Sequence, residues 1–185
     1  MSLTVPGFFR PTKMWDSIVI YKGRLVAAFE LKSQVGSFGN NFNNRTEEAI
    51  GSAKDFWTAY REKAFDLSNY VKPGIPASNQ KDIKPPFLGY LMLLEDCLDS
   101  TTPVRVDEEH YKVFPEFKQT SYATRYKLLC EKLVLEGLYT SASLILSDST
   151  EGRSNGKHTS PTETLSPKSL FADFAGRLLV AIETW

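Results

Sequence analysis

Residues 87–94 read FLGYLMLL, a run with no charged side chain and none of the apolar–polar alternation of a strand that meets water on one face. Closed by Glu95 and Asp96, the run suits a strand covered on both faces, so other elements must lie on either side of it. It is the strongest single constraint on how this chain can fold.

Upstream lie two β-prone runs, DSIVIYK over 16–22 and LVAAFELK over 25–32, separated by Gly23 and Arg24. That connection predicts a tight antiparallel hairpin. From Arg45 to about Phe65, Ala49, Ala53, Phe56, Trp57, Tyr60 and Ala64 recur with helical period and form one buried stripe, with Asn44 as N-cap. Trp57 and Tyr60 are read as core on that stripe. Residues 68–86, rich in proline, are expected to form a surface excursion. A further helix is expected near Thr120, with Tyr126, Leu129, Cys130, Leu133 and Val134 on its apolar side and Lys118, Arg125 and Lys132 in a bordering row every seventh residue. Residues 148–168 read as a polar loop. Ser166 followed by Pro167 signals the start of a last amphipathic helix reaching about Thr184.

With 185 residues, 42% of them hydrophobic, the chain is expected to form one domain over 1–185. Its 22 basic and 22 acidic residues balance, so any anion-binding surface must come from local placement. Cys97 and Cys130 lack metal-ligand spacing and are expected to be reduced, buried thiols, and His110 and His158 are isolated. Neither a signal peptide nor an apolar run approaching roughly 18 residues is evident, so a cytoplasmic location is expected.

The charges in FELKSQVG, residues 29–36, carry the chemistry. On a strand, Glu30 and Lys32 share a face and Leu31 takes the other. Asp16 begins the partner strand, and a tight hairpin brings its carboxylate toward Glu30. Two converging carboxylates repel unless a cation lies between them, and hard oxygen ligands favour magnesium. A neighbouring ammonium can then stabilise charge or orient a water, which together are the parts that phosphodiester hydrolysis requires. The plain alternative is a surface hairpin whose Asp16, Glu30 and Lys32 are solvated and weakly paired.

Between Pro6 and Phe65 the segments PGFFRPTK, WD, LVAAFELKSQVG, SFGNNFNNRTEEA, GSA and WTAYRE closely resemble the XhoI-type restriction endonucleases. The likeness continues more loosely through FLGYLMLLED, VFPEF and SYATRYKLLCEKLVLEGLY. It implies an α/β fold of the PD-(D/E)xK nuclease group, a mixed sheet flanked by helices, with Asp16, Glu30 and Lys32 as the catalytic set. The carboxylates would hold Mg2+ with the Leu31 carbonyl as a further ligand, and Gln34, on the same strand face by parity, is a weaker candidate for positioning water or phosphate. Trp15 stands where the general motif has proline. The family also implies double-stranded DNA cut within a palindrome, CTCGAG, by a homodimer paired with a cognate DNA methyltransferase. An additional N-terminal helical segment of relatives is expected to be missing here.

In the stretch SFGNNFNNR, read as a loop, Asn40, Asn41, Asn43, Asn44 and Arg45 can contact bases or phosphates. The same asparagines equally suit left-handed turns and a helix cap. Arg10 and Lys13, just before the hairpin, are further candidate DNA contacts. Two rival readings stay open: a catalytically degenerate DNA-binding protein, and a repair or structure-selective nuclease on the same fold.

Overall fold

The computed structural model describes residues 3–70 and 84–184. Most of the proline-rich excursion expected over 68–86 lies outside the described residues. A short antiparallel ribbon of β1 (Thr4–Pro6) and β2 (Thr12–Met14) leads into the hairpin β3 (Ser17–Tyr21) and β4 (Arg24–Gln34). The turn sits on Lys22 and Gly23, with φ of 48° and 79°, so Arg24 already pairs with Tyr21. Two successive positive φ values match the turn whose twist suits a hairpin, which is why it closes one residue earlier than Gly23–Arg24.

The main sheet has the order β3-β4-β5-β6, with β5 spanning Phe87–Glu95 and β6 spanning Ser141–Ser147. β3 runs antiparallel to β4, and β4, β5 and β6 are parallel. Parallel neighbours need crossovers. The long helix α1 (Phe38–Arg61) begins the first, and α3 (Tyr122–Leu135) lies in the second, after the short α2 (Leu98–Thr101). On the face toward α1 and α3, Ala28, Leu88, Tyr90, Met92, Leu94, Ala142 and Leu144 pack with Ala53, Phe56, Tyr126, Cys130 and Leu133. The other face meets α5 (Pro167–Thr184), where Leu170 and Phe174 cover Ala27, Phe29 and Phe87. β5 is thus covered on both faces over its first four residues, as FLGYLMLL predicts, whereas toward its end Leu91 is half-buried and Leu93 exposed on the α5 side, within a mixed sheet flanked by helices.

Three elements depart from the expectations. α1 starts at Phe38 rather than Arg45, capped by Ser37 in a left-handed conformation, so the asparagines lie within its first turns and Asn44 is not its cap. Phe38 and Phe42, one turn apart, both pack on Tyr122, and Phe42 also meets Tyr126 edge-on at 5.1 Å. This tertiary packing outweighs the low helix propensity of Gly and Asn. Gly39 is required by closeness: a Cβ there would lie 2.9 Å from the Tyr122 hydroxyl. β6 forms where the sequence carries little strand signal, because SASLILS is short and alternates weakly. The polar stretch 148–168 contains α4 (Glu151–Asn155) and a 3-10 turn at Glu163–Leu165, and Thr159 bridges to Leu146.

Candidate active site

Asp16 is fixed by its own backbone and by its neighbour's. Its N–H donates to the Phe29 carbonyl at 3.2 Å, and its Oδ2 accepts the Leu31 N–H at 2.7 Å. The hairpin therefore sets the Asp16 carboxylate at the β4 backbone between Glu30 and Lys32. Asp16 is exposed, while Glu30 is only 3% exposed. Leu31 points to the opposite face and is exposed, as strand parity requires.

A carboxylate as buried as Glu30 must be compensated. Lys32 Nζ lies 2.5 Å from Oε1, and Lys13 Nζ, from β2, lies 2.8 Å from Oε2. The Lys13 contact is an ion pair by distance without hydrogen-bond alignment, so Oε2 is a buried oxygen with no hydrogen bond. Lys13 also stands 4.5 Å above the Trp15 ring. Beneath Glu30 lie Tyr90, its register partner on β5, and Tyr139, whose ring is 5.2 Å from that of Tyr90. Burial, and then the charge of Glu30, push the Tyr139 hydroxyl well above its ordinary range. Tyr90 is raised by burial first, with Cys130, Tyr139, Tyr126 and Glu30 adding to the effect.

This donor set fits magnesium. Among the described residues, no three His, Cys, Asp or Glu side chains converge on a metal position. Two carboxylates suffice for an ion that keeps waters and takes phosphate oxygens as further ligands. The unbonded Glu30 Oε2 supplies a buried acceptor, and the Leu31 carbonyl belongs to the intervening residue.

The remaining candidates are placed less directly. Gln34 is buried with both ends of its amide engaged: Nε2 donates to the Gly36 carbonyl, and Oε1 accepts from Tyr126 at 3.5 Å. It braces the chain between β4 and α1, with one amide N–H and one lone pair of its oxygen engaged. Asn40, Asn43 and Asn44 are exposed near the start of α1, which follows the C-terminal end of β4. Asn41 donates to the Ser37 carbonyl at 3.1 Å, and Arg45 pairs with Glu48 at 2.8 Å. Arg10 donates from Nε to Asp55 at 2.7 Å while its side chain stays partly exposed. Lys13 is turned into the site instead of outward. A three-residue ribbon has no periodicity from which sequence reading could have found this contact.

The basic row of Lys118, just before α3, and Arg125 and Lys132 on it is consumed by local pairing. Lys118 meets Glu108 at 3.5 Å and Lys132 meets Glu116 at 2.9 Å. Arg125 donates to Thr120 Oγ1 and to the Val104 carbonyl. The Arg125 and Lys132 contacts fasten residues 104–120 to the helix, and the Lys118 pair ties that segment to itself.

Residues 1–160 match the family described as restriction endonuclease XhoI. The type II restriction enzyme BstVI of Geobacillus stearothermophilus is 52% identical over 167 residues, which cover 87% of this chain and 67% of that enzyme. The type II restriction enzyme XhoI of Xanthomonas vasicola is 53% identical over 137 residues, covering 74% and 49% respectively. AbrI of Azospirillum brasilense, another type II restriction enzyme, is 54% identical over 111 residues, covering 60% of this chain and 43% of its own. The matched region thus spans about two thirds of the first relative and less than half of the other two. No solved structure matches the chain significantly. The family match runs through the ribbon, the hairpin, α1 and the three parallel strands that build the site, and the chain belongs to the XhoI family of type II restriction endonucleases.

Proposed function

We propose that this chain carries the phosphodiester-cleaving centre of a type II restriction endonuclease acting on double-stranded DNA, with a PD-(D/E)xK active site of Asp16, Glu30 and Lys32. The observation that carries the reading is Glu30, almost fully buried yet held between two ammonium groups beside Asp16. A surface hairpin with solvated charges would not bury that carboxylate, because uncompensated burial costs several kcal/mol or about as much as a small domain can spare.

Asp16, Glu30 and the Leu31 carbonyl would hold magnesium. Bound there, the ion supplies Lewis-acid stabilisation of the phosphate and favours ionisation of a water. Asp16 is positioned for this by the Leu31 N–H, which fixes one oxygen and leaves Oδ1 without a hydrogen bond among the described residues. Lys32 donates to the attacking water and the non-bridging phosphate oxygen, aligning attack opposite the 3′-oxygen and stabilising the developing charge. The products are a 5′-phosphate and a 3′-hydroxyl.

Asn40, Asn43 and Asn44, exposed on the first turns of α1, are the favoured base or phosphate contacts, and the exposed part of Arg10 is a further one. Asn41 and Arg45 each already hold one partner, through Nδ2 to the Ser37 carbonyl and through the guanidinium to Glu48. Membership of the XhoI family is the ground for proposing CTCGAG as the site, and a palindrome read by one kind of chain calls for a two-fold homodimer. Such an enzyme works in the cytoplasm beside a methyltransferase that protects the host's own sites. No helix among the described residues is long and apolar enough to cross a membrane.

The test is incubation of the protein with magnesium and plasmids that carry or lack CTCGAG. Cleavage at that sequence is expected, and Lys32→Ala should lower it by at least about a thousandfold while leaving duplex affinity within a few-fold. Random nicking, or full activity in Lys32→Ala, would overturn the reading. Specific binding without cleavage would favour the degenerate DNA-binding alternative.

A further inference from the structure

The active centre holds one charge more than the catalytic set requires. Asp16, Glu30 and Lys32 would form a net-negative site that attracts a divalent cation at any time. Lys13 changes this: its side chain is only 11% exposed, and its ammonium lies 2.8 Å from Glu30 Oε2 and is steadied by the Trp15 ring at 4.5 Å. Two carboxylates and two ammonium groups leave the cluster without net charge, and Glu30 has a cation on each oxygen.

We infer that Lys13 is a second active-site lysine, one that keeps magnesium weakly bound until DNA arrives. The inference rests on the metal-dependent nuclease reading given above. To coordinate an ion through Oε2, Glu30 must release Lys13, and the freed ammonium needs an anion nearby. A phosphodiester in the site supplies it. Metal and DNA therefore favour each other's binding, since either one alone leaves a charge uncompensated.

The same bookkeeping bears on rate. With magnesium present, the two carboxylates and two lysines sum to a doubly positive site. That charge matches the dianionic phosphorane formed when a water that has released one proton to solvent adds, as hydroxide, to a monoanionic phosphodiester. Without Lys13 the site would match the ground state instead, and binding that is equal or better in the ground state does not accelerate the chemistry. Lys13 comes from β2, outside the strand that carries Glu30 and Lys32, so the ribbon β1–β2 is part of the catalytic apparatus.

The experiment titrates magnesium into DNA-free protein by calorimetry for the wild type, Lys13→Met, Lys13→Gln and Lys13→Arg, and pairs this with single-turnover cleavage. Loss of the ammonium should tighten magnesium binding about tenfold or more, the scale on which a neighbouring ammonium alters a carboxylate's affinity for a proton. Cleavage at saturating magnesium should fall on the order of a hundredfold, as when one transition-state donor is removed. Lys13→Arg should keep the weak metal binding of the wild type. Lys13→Gln retains a donor for Glu30 and serves if Lys13→Met does not fold. A purely structural lysine would move both readouts in the same direction, so unchanged or weaker metal binding in folded Lys13→Met or Lys13→Gln overturns the inference. Wild type that binds duplex but never cleaves it defeats the nuclease reading instead, and the metal titration distinguishes the two failures.

Discussion

Trp15 shows how one residue positions the next. Its ring is buried and meets Phe56 edge-on at 5.3 Å, its backbone N–H donates to the Leu3 carbonyl at 3.0 Å, and Lys13 rests over the ring. The general motif has proline at this position, but a proline could not make that hydrogen bond. Trp15 thus ties the start of the chain, the core and Asp16 together. Trp15→Ala should cost about 3–5 kcal/mol in urea unfolding, the range for a buried aromatic, and Trp15→Phe should recover most of it. Equal stability of wild type and Trp15→Ala would show that the ring is dispensable. At this scale the sequence was legible where parity governs: Glu30 and Lys32 share a face because they are two apart on a strand. Lys13 was not legible as a partner of Glu30, because seventeen positions and a change of sheet separate them and no local rule links the two.

The ribbon β1–β2 is a small element that holds its shape through a single helix residue. Asp55 of α1, itself buried, accepts the N–H groups of Phe8 and Phe9 at 2.7 and 2.8 Å and the Arg10 Nε–H at 2.7 Å. Gly7 makes room, since a Cβ there would stand 2.7 Å from Asp55 Oδ2. Burial alone would raise the Asp55 pKa, but the Phe9 N–H, the Arg10 side chain and the Phe8 N–H outweigh it and hold the carboxyl below its ordinary value of 3.8. A depressed folded value stabilises the protein above the unfolded value, and that contribution fades as pH falls through the folded one. Asp55→Ala should therefore cost about 2 kcal/mol near neutrality and speed amide exchange at Phe8 and Phe9, with the difference from wild type shrinking below about pH 4. A pH-independent difference would refute the ion-pair account. The start of α1 teaches the converse lesson about elements. SFGNNFNNR looks like a loop by propensity, yet Phe38 and Phe42 meet Tyr122 from a distant part of the chain, and that contact decides the helix.

For the molecule as a whole, FLGYLMLL and the hairpin announced a covered sheet, whereas β6 was hidden because its strand character depends on the register it finds beside β5. That three-strand parallel core also gathers four groups that ionise only in alkali. Burial pushes the Cys130 thiol to about 12 from an ordinary 9.0, and it carries Tyr126 to about 12 from 10.0 against an opposing effect of Arg45. Tyr90 and Tyr139 are likewise raised well above their ordinary range, again chiefly by burial. In each case the unfolded chain releases its proton at lower pH than the folded one. The stabilisation is complete below the unfolded values and is lost as pH climbs toward the folded values, so the loss begins near pH 9 with Cys130 and steepens near pH 10 as the tyrosines join. The urea midpoint should thus change little around neutrality and decline steeply above about pH 9. Cys130→Ala should be less stable at pH 7, because it leaves a cavity, yet lose less between pH 8 and pH 10 than the wild type. Parallel declines for the two proteins would place the alkaline lability elsewhere, and a wild type indifferent to pH up to 11 would remove the buried cluster as its cause.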